Sequence, residues 1–392
     1  MAQSFDFDKI IERRGTDCLK YDIAKKRGKP EDVLPLWVAD MDFQTTPAVQ
    51  KALQKAVEHG IFGYFEPGKS YYDAVRHWFG TRFGYTFEES WVSHVPGVVF
   101  AISAAIRSFT HPGEPVLIME PVYHLFRSTI LQNDREVVPC DLIEENGHYR
   151  IDFADMEAKI VAHEIKLLLF CSPHNPVGRV WTKDELTQLV AICKKHDVLI
   201  FSDEIHCDFV FSGHKHHVLP ALCPDYAEQI ILATAPSKSF NTAGLHISNI
   251  FIQNDDLRRA YRKTLAEVGI SQPSLMGIRA CQAAYAEGEP WLMALTVYLE
   301  KNIQFIAEYL EKYLPQIRFS PPEGTYLAWL DFRATGLDAK EIEHKLLEEA
   351  KLWLSPGDSF GGTGAGFMRL NMACPKSTVE DALERIRGVF AT

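Results

Sequence analysis

The chain has 392 residues, of which 46% are hydrophobic and 24% charged, with 41 Lys and Arg against 52 Asp and Glu for a formal net charge of −11. A chain this long exceeds what a single core usually organises, so two packed domains of α/β type are expected. The acidic excess is spread along the sequence, which argues against nucleic acid or an anionic membrane surface as partner.

In chain order, the start MAQSFDFDKIIERRGTD is polar and carries no apolar core of a secretory signal. No apolar run approaches the length of a membrane span. The eight cysteines are irregularly spaced and several sit inside apolar runs, so a reduced, cytoplasmic protein is expected. The aromatic stretch around Trp78, Phe79, Phe83 and Tyr85 reads as core or dimer contact. Pro115–Met119, Ile165–Cys171, Val198–Phe201 and Ile230–Thr234 are apolar runs too short for helices and read as strands. Between the second and third, Thr182 followed by Glu185 forms a capping box ahead of a helix-period segment. Strands alternating with helices predict parallel βαβ units covered on both faces.

From about Pro290 the pattern changes. Two amphipathic helices, WLMALTVYLEKNIQFIAEYLEKYL and DAKEIEHKLLEEAK, flank an extended stretch, GTYLAWLDF, and the helix TVEDALERIRGVF comes last. The expected division is a large domain over 45–288 and a smaller α+β domain built from 1–44 and 289–392, with the boundary in AEGEPW.

Three strand ends carry polar residues of different types. Asn175 comes after IKLLLFC, Asp203 after VLIF, and Lys238 after IILAT. In an open parallel sheet ligands bind beyond the carboxyl ends of the strands. A pyridine-aldehyde cofactor needs such a set: an amine to condense with the aldehyde, a carboxylate for the ring nitrogen and an amide for the ring oxygen. Other polar clusters point elsewhere. His214, His216 and His217 lie in a polar loop with no Cys or carboxylate at ligand spacing, so no metal is expected. GGTGAG at 361–366 precedes a strand and reads as a flexible loop, not a dinucleotide fingerprint.

The runs N-P-x-G, S-D-E-I-H and S-K-S-F-N resemble the fold-type I pyridoxal-phosphate enzymes, the aspartate aminotransferase superfamily, over essentially the whole chain. LWVADMDF (36–43) and His206 resemble its MalY/PatB branch, the cystathionine β-lyases. The resemblance implies a large doubly wound, mostly parallel sheet domain with a smaller α+β domain, and pyridoxal 5′-phosphate as cofactor. It implies Lys238 as Schiff-base lysine and general base, Asp203 on the pyridinium nitrogen, Asn175 on the ring oxygen and Tyr123 stacked on the ring. Gly97, Val98 and Val99 match the phosphate cradle, with Ser237 beside the lysine. Arg369 matches the arginine that grips the substrate α-carboxylate. Tyr64 matches a tyrosine that reaches the neighbouring subunit's cofactor, which implies a homodimer with shared sites. Two positions depart from the aminotransferase pattern: His246 stands where an arginine usually clamps the phosphate, and His206 where a tyrosine is usual. The implied activity is α,β-elimination from a sulfur-containing L-amino acid, giving a thiol, pyruvate and ammonia. An aminotransferase is the alternative, since it shares every step up to the Cα carbanion. A regulatory role by protein binding is a minor further one.

Overall fold

The computed structural model describes residues 5–391; the first four residues, part of the polar N-terminal stretch, lie outside it. Seven strands form the large sheet: β1 (Val92–Val95), β2 (Pro115–Glu120), β3 (Glu136–Asp141), β4 (Leu167–Cys171), β5 (Leu199–Asp203), β6 (Ile230–Thr234) and β7 (Ser248–Ile252). Their spatial order is β1-β7-β6-β5-β4-β2-β3. Strands β3, β2, β4, β5 and β6 pair in parallel, whereas β7 runs antiparallel to both neighbours. The sheet is thus mixed, mostly parallel and doubly wound. Strands β1, β3 and β7 fall outside the four runs expected from the sequence, because residues such as Ser93, His94, Pro139 and Asn249 interrupt their apolar character.

The central strands read as unbroken apolar runs because both faces are covered. Alternation sorts them: Leu168 and Phe170 pack with Leu186 and Leu189 of α3 (Lys183–Lys195), on one side. Leu167, Leu169 and Cys171 pack with Ala101, Ile102 and Ala105 of α2 (Val98–Phe109), on the other. Thr182 and Glu185 make both capping-box bonds at the start of α3. In α1 (Lys69–Phe83), Trp78 and Phe79 are buried in the core, as is Tyr85 just beyond it.

A second, antiparallel sheet contains β8 (Arg318–Phe319), β9 (Leu327–Asp331), β10 (Ser355–Pro356) and β11 (Phe367–Asn371), ordered β8-β9-β11-β10. The 25-residue α4 (Glu289–Tyr313) buries Leu292, Leu295, Leu299, Ile303, Ile306 and Leu310, a helical spacing that turns one stripe inward. Helix α5 (Lys376–Phe390) packs beside it. The segment expected as one helix after Asp338 is α-helical only over Ala339–His344; Lys345–Glu349 widen into a π-turn, which brings adjacent Leu346 and Leu347 into the core together. In the GGTGAG loop Gly361 and Gly364 are buried, while Gly362, Thr363 and Ala365 are exposed. Gly361 has φ +132°, and any side chain there would collide with Glu120.

Candidate active site

Strands β4, β5 and β6 lie side by side in register, with Cys171 opposite Asp203 and Asp203 opposite Ala233. Their carboxyl ends therefore stop at one level, and the loops leaving those ends meet one another. Asn175 comes from the loop after β4, Asp203 ends β5, and Lys238 rides the short helical turn Pro236–Ser239 after β6. All three line one pocket, together with Gly97, Val98, Val99, Tyr123, His206, Ser237 and His246.

Burial sets the charges. The Lys238 amine donates to the Ala39 carbonyl at 2.6 Å. Desolvation, reinforced by Arg369, brings it down to about 8 against the pull of Asp40 and Asp203. A sizeable neutral fraction is then present near neutral pH, and only the neutral amine can act as nucleophile or base. Desolvation also pushes Asp203 up to about 7, although it accepts from the Ile205 amide at 3.1 Å. A carboxylate so placed is stabilised as an anion only by a cation set against it, as a protonated pyridine would be. Burial keeps His206 well below its ordinary value, and among the described residues its Nδ1 has no hydrogen-bond partner.

At the other end of the pocket α2 begins at Gly97, whose extended backbone offers no side chain to cap the helix. The amides of Val98 and Val99 are thereby open to an anion, with the helix dipole in support. Ser237 and His246 line the same pocket. An anion cradle, a buried carboxylate, a buried amine and an aromatic face at Tyr123 together suit pyridoxal phosphate.

Arg369, on β11, is 3% exposed and reaches the site from the second sheet. It donates to Asn175 Oδ1 at 3.0 Å, to the Trp37 carbonyl at 2.8 Å and to Ser355 Oγ at 3.3 Å, while its Nε has no partner among the described residues. An arginine held by three neighbours with a donor to spare is suited to a carboxylate.

The LWVADMDF segment acts through its backbone, which no side-chain motif could reveal. Trp37 and Ala39 offer carbonyls to Arg369 and Lys238, Tyr326 also donates to Ala39 at 3.0 Å, and Asn371 donates to the carbonyls of Val38 and Asp40. Tyr326 and Asn371 were not identifiable from sequence. Nor was Asp208, five residues beyond Asp203, although an acid two residues past S-D-E-I-H is a signal. Buried Asp208 accepts from Ser239 Oγ at 2.5 Å and Trp78 Nε1 at 3.0 Å and pairs with Arg82 Nε at 3.2 Å. It ties the lysine turn to α1. Asp208→Ala strands three donors, so chemical denaturation should show a loss of about 3 kcal/mol in stability. A loss under about 1 kcal/mol would exclude this tether.

Tyr64 is not in this pocket: it is 92% exposed, in a loop with exposed Ile61 and Phe62. His216 turns inward to Glu204 at 2.7 Å. Among the described residues no group of three or more His, Cys, Asp or Glu is placed to hold a metal ion, and no helix is long and apolar enough to cross a membrane.

The two sheets, their mixed topology and the lysine turn beyond β6 define a fold-type I aminotransferase-like enzyme fold. The family model for aminotransferase class I and II matches residues 31–386, and the chain belongs to that family. It is 39% identical to cystathionine beta-lyase PatB of Bacillus subtilis, with 98% of this chain and 100% of that protein covered. The crystal structure of cystalysin from Treponema denticola, which contains pyridoxal 5′-phosphate, superposes with a TM-score of 0.95 at 37% identity over 99% of both chains. A pyridoxal-phosphate-bound C–S lyase from Staphylococcus hominis gives a TM-score of 0.94 at 34% identity, over 100% of this chain and 99% of that one.

Proposed function

We propose that this chain is a pyridoxal-phosphate-dependent carbon–sulfur β-lyase of the cystathionine β-lyase type. The reaction is L-cystathionine plus water to homocysteine, pyruvate and ammonia. The observation that carries the reading is the convergence of Lys238, Asp203 and Asn175 on one pocket, with Arg369 of the second sheet bonded to Asn175 at its edge. The C–S lyase relatives support elimination over amino transfer.

Lys238 would hold the cofactor through its amine, with Asp203 on the ring nitrogen, Asn175 on the ring oxygen and Tyr123 against the ring face. Val98, Val99, Ser237 and His246 would receive the phosphate. Bound there, the cofactor supplies an electron sink for negative charge developing at the substrate Cα. Arg369 takes the α-carboxylate and fixes the Cα–H bond toward Lys238. Once the substrate amine has taken its place on the cofactor, the freed Lys238 amine would remove that proton as general base. Asp203, as an anion, retains the proton on the ring nitrogen. The protonated Lys238 is then the nearest acid to the sulfur leaving Cβ.

The assembly we infer is a homodimer, supported by the exposed Val57, Ile61, Phe62 and Tyr64, an apolar group that water disfavours. Tyr64 would reach the partner's cofactor phosphate. Tyr64→Phe should then weaken cofactor retention about tenfold, read by equilibrium dialysis, with unchanged thermal unfolding of the cofactor-free protein. Unchanged retention would remove Tyr64 from the site. We also keep the division into 45–288 and 1–44 with 289–392, and a cytoplasmic location, which eight free cysteines suit.

The functional test is product analysis. Purified holoenzyme given cystathionine should release homocysteine, pyruvate and ammonia in equal amounts with no keto acid added. An enzyme silent until 2-oxoglutarate is supplied would be an aminotransferase instead.

A further inference from the structure

Beyond the cofactor pocket, cationic groups gather around Trp37. Arg27, closing the short turn Lys25–Arg27, sets its guanidinium carbon 4.7 Å from the Trp37 ring centroid, and Trp37 in turn stacks on Trp353 at 4.4 Å and 17°. The carbonyl of the same Trp37 accepts from Arg369. One residue therefore bridges the two guanidinium groups. His124 packs edge-on to Tyr123 at 4.9 Å and faces Phe360 at 6.0 Å, and Arg369 lies 4.8 Å over that Phe360 ring. Burial, with the charges of Arg369 and Arg27, keeps His124 neutral, down to about 4.

Neighbouring Lys25 and Lys29 are paired with Glu31 and Glu343. Arg27 is exposed and, among the described residues, has no ion pair, while its guanidinium lies over the Trp37 ring. A planar guanidinium held in this way is organised in advance for a carboxylate. An elimination substrate held by its α-carboxylate at Arg369 extends away through Cβ and sulfur. The group beyond sulfur depends on the leaving thiol: homocysteine carries a second carboxylate, methanethiol none.

We propose that Arg27 is a specificity-determining residue of this site: its guanidinium, set on Trp37, takes the carboxylate of the leaving thiol, so the site favours substrates whose leaving thiol carries a carboxylate at its far end. This rests on the carbon–sulfur lyase reading of the pocket.

The test compares wild type, Arg27→Ala and Arg27→Lys holoenzymes on L-cystathionine and on S-methyl-L-cysteine. Arg27→Ala should raise KM for cystathionine about tenfold, leave kcat within about twofold, and leave both constants for S-methylcysteine unchanged. Arg27→Lys should restore part of the loss. Equal losses on both substrates would make Arg27 a support for Trp37 only, and no loss on either would leave it without a role; both overturn the proposal. Calorimetric binding of the two amino acids to cofactor-loaded Lys238→Ala protein, with and without Arg27→Ala, should show the same selective loss without turnover. If wild type releases no thiol from either substrate, the lyase reading fails, and calorimetry still decides what Arg27 binds.

Discussion

Replacing Lys238 with alanine should lower turnover by at least about 10³-fold, the scale of a lost general base, and should remove the visible absorbance of a lysine-bound cofactor. The amine that disappears is the buried one held at 2.6 Å by the Ala39 carbonyl and kept partly neutral by its surroundings. Among the described residues no second lysine lines the pocket to take its place. The fold should survive, because the turn that carries Lys238 is anchored separately through Ser239 to Asp208. Absorbance spectra and steady-state rates check both halves. A variant that keeps either the absorbance or turnover within tenfold of wild type would displace Lys238 from its role.

Asp203→Asn should leave cofactor bound and reduce turnover by about 10²–10³-fold, because a fixed charge in a water-poor site stabilises developing charge far better than a neutral amide. The substitution is nearly isosteric and keeps an oxygen for the Ile205 amide. Stability provides the control. Asp203 is raised by burial to about 7, so on raising pH the unfolded chain ionises first and folding weakens through the interval up to about 7. Cofactor-free Asp203→Asn should therefore melt no lower than wild type at pH 8. Normal melting with lost turnover assigns Asp203 to chemistry; turnover within tenfold of wild type would exclude it.

The legible parts were those whose cause is local. Four apolar runs became β2, β4, β5 and β6, and the bonds of Thr182 with Glu185 opened α3 where spacing placed it. Asn175, Asp203 and Lys238 were visible because each lies at or just past a strand end, and parallel pairing brings strand ends together. Arg369 is another matter. It arrives from β11, far along the chain, and only the family resemblance singled it out before the structure showed it bonded to Asn175. The carbonyls of Trp37 and Ala39 were illegible for a different reason: backbone groups leave no compositional trace. Strand β7 escaped because it runs antiparallel and carries Asn249, which packs a buried hydrogen bond with Tyr71 instead of an apolar side chain. Tyr64 stays a proposal, since the partner inferred for it would lie in a second copy of the chain.

The most direct test of the central claim is to locate the cofactor on the chain. Holoenzyme is reduced with borohydride to make the lysine–cofactor linkage permanent, digested, and the modified peptide identified by mass spectrometry. The pocket geometry predicts a single modified peptide containing APSKSF, with the pyridoxyl group on Lys238. A modified peptide carrying it on any other lysine, or none at all, would contradict the assignment of this pocket as the active site.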